Sequence, residues 1–471
     1  MERMAALATM LTPRVTAHIG ASESGLYPAG IFESLASSNT ALYPVNPNRA
    51  FVFGRRCFPS VGALPERPDL AVVSVPAARV PGVLADCVRA GVTAAVIVSS
   101  GFSEGGADGA RLQEELSTLR DRILILGPNC AGFANLRDGI VAARLYAERI
   151  PGGISLVSQS GALMMALHGS FAARGAGMRY LVSVGNQADL CLEDLLAHCA
   201  SDPATTVSAV FVEGVRDGAR FAQALQANLE AGKPVVVLKA GRTEAGRRMV
   251  STHTAAVAGA SRVFEAVCRQ HGAILVDDVG QLADTACLWE LTGGRLSQRI
   301  AYLAQSGGLC ALLADQLAAA GFPPITPSPA LEKAVHLASL LPADRKLLNP
   351  ADLGGDRLRG EALADAAAPF AADPDTDVLA FLFAKNPNRD VEAKTAEAVA
   401  SVRHRHGKPV FAVWVGGDAP PAEGQTCAVR LLSKAGISVF PQPGDAARAV
   451  ARLLAWKRFR SRLLGLQEAA A

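Results

Sequence analysis

His253 is the residue whose neighbours most invite chemistry. It stands in KAGRTEAGRRMVSTHTAAVAGASR (Lys239 to Arg262), among small and hydroxylated side chains. A neutral imidazole nitrogen can attack phosphorus in line, and the phosphohistidine so formed is an anion that helix amides and a helix dipole stabilise. Ala255 to Gly259 lead into a helical pattern, which predicts that His253 lies in a loop beside a helix N-terminus. The same stretch also reads as an exposed loop histidine beside Arg242, Arg247 and Arg248. Glu213 is the second candidate. It ends the apolar run SAVFVE, where a carboxylate is costly unless partnered, and a nearby imidazole would be a natural partner. The third is the turn in SLVSQSGAL, where Ser158 or Ser160 can cap the helix that follows while its first amides, at Gly161 and Ala162, stay available to an oxyanion.

These residues need strands that end beside them. Pro234 to Leu238 reads as a buried parallel strand, and open α/β sheets take ligands in the loops at the C-terminal ends of such strands. Earlier in the chain, VTAHIGASESG from Val15 reads as a strand, a glycine turn and a helix ending near Ser37. Further strands are expected within LYPVNPNR (Leu42 to Arg49), LAVVSVPA (Leu70 to Ala77), AAVIVSSGFSEGG (Ala94 to Gly106) and ILILGPNCAGFAN (Ile123 to Asn135). Each runs into a loop of Gly, Pro, Ser or Asn, so the loops gather along one sheet edge and predict a ligand site there. The first glycine turn is not a strict GxGxxG. Asn46 and Asn48 stand where a nicotinamide-binding fold carries an acidic residue, which argues against an oxidoreductase. Residues 136–151 lack a period and are expected to form a connector.

Composition narrows the class. The 471 residues are 50% hydrophobic but only 5% aromatic, a balance of Ala, Val, Leu and Gly that suits helices packed on parallel sheets, in two to four domains. A formal charge of +3 gives no reason to expect nucleic acid or a membrane surface as partner, and the basic run Lys457 to Arg462 is expected to be a solvated face of the last helix. No apolar run reaches membrane-spanning length and no signal-peptide order is present, so a cytoplasmic location is expected. The nine cysteines include no CxxC pair; reduced, mostly buried thiols and no metal site are expected.

An internal repeat isolates the chemistry. AYLAQSGGLCALLADQLAAAGF (Ala301 to Phe322) echoes SLVSQSGALMMALHGSFAARGA, VLAFLFA (Val378 to Ala384) echoes VSAVFVE, and GKPVFAVWVGG (Gly407 to Gly417) echoes GKPVVVLKAGR. Lys233 and Gly272 are 39 positions apart, but Lys408 and Gly436 only 28, so the second copy lacks 11 residues where the first carries His253. Ala384 replaces Glu213. A scaffold residue should survive in both copies, so these losses favour function for His253 and Glu213.

Taken in order, IGAS (19–22), YPVNP (43–47), SVPA (74–77), SSGFSE (99–104), GPNC (127–130), SQSGAL (158–163), VGNQAD (184–189), EGVRDG (213–218), STHTAAVAG (251–259), QSGGL (305–309) and NPADL (349–353) resemble the NDP-forming acyl-CoA synthetases, in particular the alpha subunits of ADP-forming acetate–CoA ligases. The resemblance covers nearly the whole chain. It implies a Rossmann-like CoA-binding domain (1–135), a flavodoxin-like, succinyl-CoA synthetase-like ligase domain with the phosphohistidine loop (152–292), and a second, degenerate flavodoxin-like domain (298–464). It further implies CoA contacts at Gly20, Ser22, Asn46, Arg49, Val75, Pro76, Ser99, Ser100, Gly101 and Asn129, a phosphate site at Ser160, Gly161 and Ala162, a transient phosphohistidine at His253, and Glu213 as the carboxylate orienting it. Acyl-CoA, phosphate and a nucleoside diphosphate would be interconverted with the acid, CoA and the triphosphate. No segment resembles an ATP-grasp domain, so Mg-nucleotide is expected to enter through a separate beta-type subunit in an oligomer. Two positions depart from the family: Ala255 stands where it carries glycine, and Arg49 where lysine is frequent. The rival expectation is a non-catalytic CoA- or acyl-CoA-binding regulatory protein.

Overall fold

The computed structural model describes residues 3–253, 261–416 and 427–466, with only the backbone of 251–253. The first sheet has five parallel strands in the spatial order Ala41–Val45, Val15–Ile19, Leu70–Val73, Ala94–Ile97, Leu124–Leu126. Successive residues of Leu70–Val73 feed different cores, Leu70 and Val72 one and Ala71 and Val73 the other. Both faces are therefore covered, which is why these strands read as unbroken apolar runs rather than alternating ones. Strand order reverses at Val15–Ile19, so a crevice opens beyond the C-terminal ends of that strand and of Leu70–Val73.

The second sheet has seven strands, in the order Ile274–Val276, Val235–Lys239, Val207–Val212, Pro151–Ser158, Met178–Ser183, Gly132–Asn135, Ile140–Ala143. The first five run parallel, and the last two form an antiparallel hairpin on Met178–Ser183. The expected connector at 136–151 is thus corrected: half of this hairpin lies within it. GFAN and IVAA are each too short to show a period, yet all eight residues are buried, and the sheet gives their amides and carbonyls partners. The third sheet, also parallel, runs Ala351–Asp352, Ile300–Ala304, Val378–Ala384, Val410–Val415, Ser438–Phe440.

Two compact units result, residues 1–169 with 178–277, and 170–177 with 278–471. The first holds both the five-stranded and the seven-stranded sheet. Their facing residues share one core, Val72 and Val96 of the one with Val157, Val182, Val210 and Val237 of the other. The second unit has its own core, built on Leu303, Phe381, Phe383 and Ala412. In the closing helix, Pro443–Leu464, Arg458 and Arg462 are exposed, as a solvated basic face requires, while Lys457 departs from it by donating its Nζ to Leu296 O at 2.6 Å. All nine cysteines are free, seven of them buried. No helix among the described residues is long and apolar enough to cross a membrane.

Candidate functional site

The two sheets of the first unit turn the C-terminal ends of their strands toward one cleft of about 570 Å³. Its first wall is Ser74, Val75, Pro76, Ser99, Ser100 and Asn129, from the loops after three successive strands of the first sheet. Its second wall is Gln159, Ser160, Gly161 and Ala162, with Gly185 and Asn186 beside them. Polar contacts lock these loops together. Ser99 Oγ donates to Val75 O at 2.5 Å, the Asn129 amide to Ser99 O at 2.9 Å, and Asn129 Nδ2 to Asn186 Oδ1 at 3.3 Å. At Gly185, φ is +54° and a Cβ would come within 2.3 Å of Pro128 O, so only glycine lets the walls approach this closely.

No described residue lining the cleft carries a formal charge. The electrostatic attraction for an anion therefore comes from the backbone. Helix Gly161–Ala173 starts in the cleft, and Ser160 Oγ caps it by accepting from the Leu163 amide at 3.3 Å. Ser158 supports the cap instead of forming it, its Oγ accepting from the Ser160 amide at 3.2 Å and donating to Ser160 O at 2.7 Å. The positive end of the helix dipole, with the amides of Gly161 and Ala162, faces the space where a phosphate or carboxylate would lie.

A second cleft, about 370 Å³, shares Ser74, Val75 and Pro76 with the first and is lined by Gly20 and Asn46. Gly20 has φ +84°, and a Cβ there would meet Ser74 O at 2.9 Å. Asn46 Nδ2 donates to Ala21 O at 2.9 Å, which ties the second strand's loop to the first. Of the ten residues expected to meet CoA, seven line one or both clefts: Gly20, Asn46, Val75, Pro76, Ser99, Ser100 and Asn129. Ser22, Arg49 and Gly101 line neither. The Gly101 amide donates to Glu104 Oε1 at 2.6 Å. Burial works against the Glu104 carboxylate, but the Asn186 side chain and the amides of Gly101 and Phe102 outweigh it and hold its pKa below the usual range.

Glu213 is buried at the end of Val207–Val212, in a loop held from three sides. Gln159 Oε1 accepts from the amides of Glu213 and of Gly214, the latter at 3.0 Å, and its Nε2 donates to Gly214 O at 2.6 Å. Glu193 Oε1 accepts from the amides of Arg216 and Asp217, both at 3.2 Å. The buried Lys239 ammonium donates to Glu213 O at 2.8 Å and also to Ala240 O. Burial pushes the Lys239 pKa down, and the Glu213 carboxylate opposes that shift. Gln159 thus lines the cleft and also grips the Glu213 loop, so the two are mechanically continuous. Gln159, Asn186 and Lys239 had no role in the sequence reading. A lysine at a strand end ordinarily carries its ammonium out to water, and the only sequence signal was its replacement in the repeat.

The expected setting of His253 is corrected. Its backbone is helical, at the end of Glu244–His253, and not in a loop; the helix start expected just after it falls within 254–260, outside the described residues. EAGRRMVSTH packs polar and small residues that extend a helix further than the loop reading allowed. The His253 side chain and Ala255 lie outside what the structure describes. Of the flanking arginines, Arg242 pairs with Asp277 at 2.5 Å and Arg248 with Glu244. Among the described residues no cluster of His, Cys, Asp or Glu could hold a metal ion.

This architecture matches known proteins. The family described as CoA binding domain matches residues 14–135, and the succinyl-CoA ligase like flavodoxin domain matches 151–289. The acetate–CoA ligase (ADP-forming) I of Archaeoglobus fulgidus is 33% identical over 94% of this chain, which spans 62% of that protein's length. The alpha subunit of acetate–CoA ligase (ADP-forming) I from Pyrococcus furiosus is 30% identical over 97% of this chain and 99% of its own. The chain belongs to the ADP-forming acetate–CoA ligase family. The solved dinucleotide forming acetyl-coenzyme A synthetase 1 of Ca. Korarchaeum cryptofilum superposes with a TM-score of 0.87 at 30% identity, covering 98% of this chain and 99% of that one. Within this family of acid–thiol ligases, the first cleft described above joins the CoA-binding domain to the ligase-type flavodoxin domain.

Proposed function

We propose that this chain is the CoA-ligating, alpha-type subunit of an NDP-forming acyl-CoA synthetase. The observation that best supports this reading is the shared cleft: loops of the CoA-binding domain and the capped start of Gly161–Ala173 face one space. CoA lies along the clefts beside Gly20, Val75, Pro76, Ser99 and Asn129, with its thioester carbonyl near Ser160 to Ala162. A phosphate oxygen attacks that carbonyl, the C–S bond breaks, and the thiolate takes a proton to leave as CoA. The acyl phosphate that results is held by amides of Gly161 and Ala162 rather than by cations. An imidazole nitrogen of His253 then attacks phosphorus, the P–O bond to the acyl group breaks, and the carboxylate departs. Glu213 orients the ring through its other nitrogen. The phosphoryl group passes from His253 to a nucleoside diphosphate on a partner of ATP-grasp type, in keeping with relatives named as alpha subunits.

The test is to incubate the purified chain with acetyl-CoA, or with a panel of aliphatic, dicarboxylic and aromatic acyl-CoAs, and radiolabelled phosphate. Acid-labile label should appear on wild type and not on His253→Ala, with CoA binding equal in both. Equal labelling of the two proteins removes His253 from the mechanism. CoA binding with no label from any acyl-CoA points to a regulatory binding protein instead.

A further inference from the structure

We infer that Lys239 is a positioning residue for the phosphoryl transfer, fixing the Glu213 loop from below; this rests on the function just proposed. Three observations carry it. Lys239 is buried, which no lysine tolerates without partners, and it directs its ammonium to the main-chain oxygens of Glu213 and Ala240. It sits on the strand beside Glu213's own, where Val212 and Lys239 are register partners. In the repeat the corresponding partners are Phe383 and Trp414, and Ala384 follows where Glu213 would stand. Lysine and glutamate are therefore lost together, and at the position of Lys239 stands Trp414, tilted against Phe383 with ring centroids 4.6 Å apart.

A purely structural lysine behaves otherwise, and the protein supplies the control. Lys233 Nζ donates to Cys199 O, Ala200 O and Asp202 O, closing the C-terminal end of helix Leu192–Ser201. Its repeat counterpart Lys408 survives and donates to Asp373 O at 2.6 Å, beyond helix Ala362–Ala372. Folding needs kept that lysine in both copies. Lys239 was kept only where Glu213 was.

The chemistry follows from the geometry. A carboxylate that must hold an imidazole in one orientation needs its own backbone fixed, and a displacement of about 1 Å costs on the order of 100-fold in rate. Gln159 grips the amides of Glu213 and Gly214, while Lys239 grips the Glu213 carbonyl, so the peptide groups on both sides of the Glu213 Cα are held. The ammonium also lies close enough to the Glu213 carboxylate for the two charges to attract, which offsets part of the burial cost at Lys239.

The experiment compares wild type, Lys239→Met, Lys239→Gln and Lys233→Met in the full chain, using acetyl-CoA and radiolabelled phosphate, with CoA affinity measured by calorimetry. The expected result is about a 100-fold slower maximal labelling of His253 in Lys239→Met, a smaller loss in Lys239→Gln, and the acyl-CoA concentration for half-maximal rate and CoA affinity within two-fold of wild type. Lys233→Met should melt at lower temperature but label at the wild-type rate per folded molecule. Wild-type labelling rates in either folded Lys239 variant overturn the inference, as does failure of both to fold. If wild type itself takes no label, the proposed function fails instead.

Discussion

The ligase-type region and its repeat share a folding scaffold and part company at the residues proposed for the chemistry. Both carry the same side-chain clamp: Gln159 accepts from the Glu213 amide, and Gln305 accepts from the Ala384 amide at 3.3 Å. Both close the turn before the next strand in the same way, with Thr205 donating to Asp202 and Thr376 to Asp373, each at 2.7 Å. Both start a helix with a serine cap, Ser160 and Ser306. What differs is the pair Glu213 and Lys239 and the length of chain that carries His253. The two copies keep in common the contacts that close turns and cap helices, and differ at the residues to which the proposed reaction is assigned. Within one polypeptide, the repeat serves as a built-in reference for telling a structural polar contact from a chemical one.

The sharpest way to break this comparison is to give the first copy the repeat's residue. Glu213→Ala should slow labelling of His253 by about 10²- to 10³-fold in rapid-quench measurements while leaving CoA affinity unchanged. Labelling at the wild-type rate would mean that the loss of this glutamate from the repeat is drift.

Acid should separate the two units next. His18, fully buried within strand Val15–Ile19 of the first sheet, has its pKa pushed down to about 4 by burial. Between that value and an unfolded pKa of about 6.5 the unfolded chain binds the extra proton, so stability rises with pH and is lost as pH falls through this window. The His18 contribution is on the order of 3 kcal/mol, and the unit holding residues 1–169 should unfold at a higher pH than the other, as followed by hydrogen exchange. Replacing His18 with Gln should flatten the pH dependence.

A third test asks whether the shared contacts are as purely structural as their survival implies. Asp202→Ala and Asp373→Ala should each lower unfolding free energy by about 1 to 3 kcal/mol, the former more because Asp202 also receives Arg179, without altering labelling per folded molecule. The smallest effect is expected for Gln305→Ala, about 1 kcal/mol by denaturant titration and nothing in turnover. A turnover defect there would show that the repeat is more than scaffold.

How much of this was legible from residues alone depended on whether a signal was local. Strands of the first sheet announced themselves because both faces are buried and each ends in a glycine or proline turn, as at Gly20 and Pro76. That loops after these strands would form a ligand edge followed from the same rule about strand ends, while the individual positions Ser99, Ser100 and Asn129 came from the family resemblance. The hairpin of Gly132–Asn135 and Ile140–Ala143 was invisible because its strands are four residues each and find their sheet through a partner more than forty residues away. The helical backbone at His253 was missed because small and hydroxylated residues suit a loop as well as a helix. Lys239 escaped because burial of its ammonium depends on carbonyl groups that only the folded strand pair brings together. Ser22 and Arg49 were expected at CoA from their motif, yet neither lines a cleft here.

The hairpin has a mechanical consequence for the cleft. Asn129, Cys130 and Ala131 form part of one wall, and the chain continues directly into Gly132–Asn135, which is hydrogen-bonded into the sheet that supplies the opposite wall. The gap between walls is therefore gauged by backbone pairing, like the jaws of a fixed caliper, and not by a hinge. For the thioester proposed to bind here, a slot held to width in this way predicts little ordering of protein on binding and a mild association entropy. If the proposed acyl group sits in this slot, strand pairing that sets the gap should also make the protein select acyl groups by size.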